Sequence, residues 1–109
     1  MDSASLLRLV SEATRHRLLE ELRAGERKVG DLVAGTAGEQ SNVSHHLAVL
    51  RDAGLVACRR DGRNQFYRLA DPEVARLLEQ VEGLAGKLDQ VAYTSRLGLS
   101  ATPGFLGYG

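Results

Sequence analysis

The sequence predicts a mainly α fold with a small β-hairpin, in the order α-α-α-α-β-β-α. Three observations predict it. Apolar residues recur at helical spacing through the first half of the chain. The period changes to two on either side of Asp61-Gly62. Helical spacing then returns for one long stretch after Asp71-Pro72. At 109 residues the chain has room for one small domain with a modest core.

In the first segment Leu6, Leu9 and Val10 make one stripe, and Leu18, Leu19 and Leu22 make a second. A break is expected between Ser11 and Thr14, with Ser11 or Thr14 capping the second helix through its hydroxyl. Ala24-Gly25 ends that helix. A short third helix is expected over 29–34, with Val29, Leu32 and Val33 inward and Asp31 at the positive end of its dipole. Gly35 to Gly38 reads as a turn. The fourth helix is expected over 40–53, buries Val43, Leu47 and Leu50 along one face, and stops at Gly54.

Leu55 to Arg60 and Asn64 to Leu69 read as strands, with Asp61-Gly62 as the tight turn between them. Asp71 is the expected cap of the last helix and Pro72 its first residue; it runs to about Tyr93. Along it Val74, Val81 and Leu88 repeat, as do Leu77, Leu84 and Val91, with Leu78, Ala85 and Ala92 as a third row. That band is too wide for one small chain to cover and asks for a second copy. Residues 1–93 are therefore expected to form the domain. Residues 94–109 read as a flexible, Gly-containing tail in which Leu97, Leu99, Phe105, Leu106 and Tyr108 are the apolar points.

Composition excludes several classes. Apolar residues are 43% and charged residues 26%, a globular balance that argues against disorder. No stretch approaches the ~20 apolar residues of a membrane span. The start Met1-Asp2-Ser3 lacks the basic residues of a signal peptide, so a cytoplasmic location is expected. Cys58 is the only cysteine, which rules out a disulfide within the chain and reads as a small apolar filler. Ser44 beside a histidine has no recognisable acid or oxyanion donors, so no enzyme activity is expected.

Function is carried by a short helix, a turn, a second helix and a hairpin. That order is a winged helix-turn-helix, whose second helix enters the major groove of double-stranded DNA. With its apolar stripe buried, the fourth helix turns Ser41, Ser44, His45 and Ala48 outward, and Gln40 and Asn42 stand at its start. These side chains are amides, hydroxyls and imidazoles, types that read base edges or bind phosphates. His46 lies beside the stripe, where a half-buried place and a phosphate contact both stay open. In the hairpin Arg59, Arg60, Arg63 and Arg68 supply positive charge, and only one of Arg59 and Arg60 is expected to face DNA. The expected DNA contacts are Gln40, Ser41, Asn42, Ser44, His45, His46, Arg59, Arg63 and Gln65. Charge is also polarised: residues 41–69 hold five Arg against two Asp, whereas residues 70–93 hold two basic against five acidic side chains. The zero net charge hides a positive DNA face and a negative last helix.

The run from Gln40 to Val56 (QSNVSHHLAVLRDAGLV) resembles the recognition segment of the ArsR/SmtB family of bacterial repressors. The run from Asp61 to Leu69 (DGRNQFYRL) resembles that family's wing, and Thr14 to Leu19 its second-helix signature. Here Glu12-Ala13 precedes Thr14-Arg15 where the family usually has Asp-Pro. The resemblance implies a sequence-specific transcriptional regulator that binds an inverted-repeat operator as a homodimer. It implies pairing through the first and last helices, at Leu6, Leu9, Val74, Leu77, Leu78, Val81, Leu84, Leu88 and Val91. Many family members also sense metals. Where one family site has Cys-x-Cys this chain has Lys28 and Gly30, and its last helix has no His. Carboxylates such as Asp71, Glu73, Glu79, Glu82 and Asp89 hold a borderline metal poorly. No cofactor is therefore expected, although Ni, Zn or Co at His16, His45, His46 and Cys58 of a dimer stays open. A second reading also stays open: a winged-helix interaction subunit working with a separate metal-binding, corepressor or coactivator partner.

Overall fold

A computed structural model describes residues 1–98. The element order is α1 (Ser3–Ser11), α2 (Ala13–Arg23), β1 (Arg27–Lys28), α3 (Val29–Thr36), α4 (Gln40–Asp52), β2 (Val56–Asp61), β3 (Asn64–Leu69) and α5 (Pro72–Arg96). All seven expected elements form, and β1 is an addition. The chain divides into two compact units, one up to Ala75 and one from Arg76 onward.

In the first unit the core is aliphatic. Leu18 and Leu19 of α2, Leu32 of α3, and Val43, Leu47 and Leu50 of α4 are all completely buried. Each such side chain contributes about 1.5–3 kcal/mol relative to exposure, which fixes the faces of these short helices far more firmly than their propensities do. No polar or charged residue is buried among the described residues.

Helix boundaries follow from caps the residue pattern did not reveal. The cap of α2 is neither Ser11 nor Thr14 but Glu12, whose Oε2 accepts from the Arg15 backbone N–H at 2.8 Å. Its longer side chain reaches the same free amide a hydroxyl would serve. Helix α3 continues through Gly35 to Thr36, two residues past its expected end. The Thr36 hydroxyl donates back to the Leu32 carbonyl at 2.8 Å, and the left-handed turn falls on Ala37 (φ 54°) rather than on a glycine.

The sheet is antiparallel, in the order β1-β3-β2. Arg27 pairs with Tyr67 and Lys28 with Phe66, so β1 widens the hairpin into three strands. Asp61 pairs with Asn64, which makes Gly62-Arg63 the two-residue loop, one position later than expected. Strand β2 shifts with it and begins at Val56 instead of Leu55. Gly62 adopts φ 63°, the positive value that a tight hairpin needs at its first loop position. Arg63 is thereby placed at the exposed tip.

Helix α5 starts as expected, with Asp71 Oδ1 accepting from the Glu73 N–H at 2.8 Å. It ends at Arg96, beyond the expected Tyr93. Val74 and Leu78 are buried within the single chain, whereas Val81, Leu84 and Leu88 are 44%, 54% and 51% exposed. Leu99, Phe105, Leu106 and Tyr108 of the expected tail lie outside the described residues. Among the described residues no helix is long and apolar enough to cross a membrane.

Candidate nucleic-acid interface

Helix α4 separates two jobs by face. Burial of Val43, Leu47 and Leu50 leaves Gln40, Ser41, Asn42, Ser44 and His45 exposed along its first two turns. That end has no side-chain cap bond and no acid in its first turn. Its free N–H groups and the positive end of the helix dipole suit a phosphate.

A single open groove gathers the polar residues. Gln40 and Ser44 of α4 line one side, Arg63, Asn64 and Gln65 of the wing line another, and Lys28 of β1 and Asp31 of α3 close it, so one carboxylate stands among its cations and amides. Four expected contact residues thus meet in one place: Gln40, Ser44, Arg63 and Gln65. Lys28 and Asn64 join them without having been expected as DNA contacts. Lys28 owes its place to the β1–β3 pairing, and a two-residue strand leaves no periodicity to read. A neighbouring hollow sets Asn42 beside Thr14, Arg17 and Thr36, residues of the kind that contact phosphates.

Two expected contacts are held elsewhere. The Arg59 guanidinium grips the Glu26 carboxylate with three hydrogen bonds of 2.6, 3.0 and 3.1 Å. It also lies 4.4 Å from the centre of the Phe66 ring, a cation–π contact between the two wing strands. The hydrogen bonds from Arg59 hold the Glu26 carboxyl below its ordinary pKa, and Glu26 in turn raises that of Arg59, so the pair stays ionised. His46 is 13% exposed at its side chain, with Nδ1 3.2 Å from Arg15 Nη1 and 3.7 Å from Glu12 Oε2. Its ring meets that of His45 edge-on, at 5.3 Å between centroids.

The wing root is fixed by Tyr67, which is 5% exposed. Burial, and then the neighbouring Cys58, push its phenol above the ordinary value, so it stays neutral. Cys58 is half-buried opposite Tyr67 in the sheet. Among the described residues no group of three or more His, Cys, Asp or Glu could hold a metal ion.

A short helix, a turn, an outward-reading helix and a basic hairpin define a winged helix-turn-helix domain of the DNA-binding class. The model of the bacterial regulatory protein, arsR family, matches residues 12–57. It is 39% identical over 104 residues to the uncharacterized HTH-type transcriptional regulator Rv0081 of Mycobacterium tuberculosis, covering 91% of each chain. The crystal structure of Rv0081 superposes with a TM-score of 0.76 at 37% identity, covering 81% of this chain and 91% of that one. The solution structure of Mb0332 from Mycobacterium bovis, a homodimeric winged helix-turn-helix DNA-binding domain, gives 0.69 at 31% identity, covering 80% and 89%. The chain is thus a transcriptional regulator of the arsR family, with that family's winged helix-turn-helix DNA-binding fold.

Proposed function

We propose that two copies of this chain pair and read an inverted-repeat operator in double-stranded DNA, each inserting the start of α4 into the major groove. The observation that carries the reading is the shared groove in which Gln40, Ser44, Asn64 and Gln65 stand with two cations, Arg63 and Lys28, against one carboxylate, Asp31, beside a helix whose first turn holds no acid. Gln40, Ser41, Asn42, Ser44 and His45 read bases or nearby phosphates. Arg63 and Lys28 hold the backbone. Arg59 and His46 support the reading surface from behind.

Pairing is supported by Val81, Leu84 and Leu88, which expose apolar surface at helical spacing on α5. Leu77 and Val91 on the same helix are half-buried and Leu78 is buried; in the first unit Leu6 and Leu9 of α1 are half-buried and Val74 is buried. The homodimeric Mb0332 domain supports the same assembly. The protein works in the cytoplasm by binding rather than by catalysis, and residues 1–93 carry both the DNA and the pairing surfaces.

A gel-shift series against the DNA upstream of its own gene tests this. Binding should weaken steeply with salt. Arg63→Ala should weaken binding to every sequence, and Asn42→Ala should relax base preference. Unchanged operator binding by both variants at moderate salt contradicts the assigned surface.

A further inference from the structure

Behind the reading surface, one guanidinium ties three helices together. Arg15, in the first turn of α2, donates from Nε to the Leu9 carbonyl of α1 at 2.7 Å. Its Nη1 lies 3.2 Å from Nδ1 of His46 on α4. Its backbone N–H donates to Glu12 Oε2 at 2.8 Å, and that same oxygen is 3.7 Å from His46 Nδ1. The Glu12 carboxyl is held below its ordinary pKa, chiefly by the Arg15 N–H, so it faces the cluster as an anion.

This arrangement needs an arginine. The planar fork presents Nε and Nη1 in a fixed relation, so aiming one at Leu9 orients the other at His46. A lysine presents its three donors from one nitrogen and lacks the fixed spacing that reaches Leu9 and His46 at once. Acceptance by His46 Nδ1 requires its Nε2–H tautomer. The cluster is partly buried, where such bonds are less diluted by water.

We propose that Arg15 is a positioning residue for operator recognition, fixing α4 relative to α1 through His46. The inference rests on the proposed reading, in which α1 belongs to the pairing surface and α4 reads bases. A strut between them sets the angle at which each half-site is read.

The test uses the full chain and the duplex that the wild-type protein selects from a random-sequence pool, with poly(dI-dC) as the non-specific partner. Arg15→Lys and His46→Leu should each lower affinity for the selected duplex about tenfold. Affinity for poly(dI-dC) and the salt slope should stay unchanged, while the melting temperature falls modestly as the lost hydrogen bonds require. The double variant should be no worse than either single one, because both cut the same link. His46→Asn, which places an acceptor oxygen near the Nδ1 position, should retain wild-type affinity. Equal losses on both duplexes, no loss at all, or His46→Asn behaving like His46→Leu each overturn the proposal. Should Arg15→Lys fail to fold, the two His46 variants decide it. A wild-type protein that selects no sequence overturns the operator reading itself, an outcome distinct from selection that ignores Arg15.

Discussion

On the proposed reading, Glu26 limits the positive charge that the wing offers to DNA. Arg59 counts among the wing's basic residues, yet its guanidinium is bound to Glu26 at 2.6–3.1 Å and the pair presents no net charge. Each phosphate a protein neutralises adds about 0.9 to the slope of log affinity against log salt. Glu26→Gln releases one cation per protomer, so a dimer's slope should steepen by up to about 1.8. Between 50 and 200 mM salt that amounts to roughly twelvefold more affinity lost by the variant than by the wild type. At the low-salt end the variant should bind more tightly than the wild type. Fluorescence anisotropy of a labelled duplex across that salt range measures the slope. An unchanged slope for Glu26→Gln, together with a flattened one for Arg59→Ala, refutes the reasoning. It means that Arg59 leaves Glu26 for a phosphate when DNA binds.

Other expectations follow from burial, exposure and charge. Leu47→Ala empties a completely buried position and should cost about 3 kcal/mol, seen as a melting point lower by about 12–24 °C. Ser44→Ala, at an exposed position of the same helix, should leave melting unchanged while weakening operator binding in a gel shift. Leu84→Glu puts a charge on a side chain that is 54% exposed, so sedimentation should find a folded monomer that no longer binds the operator. The lowered Glu12 pKa means that its stabilisation is present above the ordinary value of 4.5 and is lost as pH falls through the lowered one. The melting-point gap between wild type and Glu12→Gln should therefore close below pH 4.5, and a constant gap contradicts the assigned bond.

The sequence made the helices and their buried faces legible because burial imposes a period. Val43, Leu47 and Leu50 could be read that way, and all three are completely buried. The outward face of α4 followed from the same count. Pairings between distant residues were illegible. Arg59 and Glu26 are 33 positions apart, and Arg15 and His46 are 31, so no local pattern joins them. That is why Arg59 reads as a DNA contact from sequence while the fold binds it to Glu26, and why the half-buried and phosphate readings of His46 both stay open until the fold sets it against Arg15. Strand β1 was missed because two residues are too few to show alternation. The turn register slipped by one because Asp61-Gly62 and Gly62-Arg63 both place a glycine where positive φ is needed.

Selection of bound duplexes from a random-sequence pool tests the central claim most directly. Wild-type protein should recover a two-fold symmetric sequence, with half-sites separated by about one helical turn or a multiple of it. Gln40→Ala and Asn42→Ala should return a broadened consensus at the same spacing. An asymmetric single site, or a consensus unmoved by both variants, contradicts a dimer that reads DNA with the start of α4.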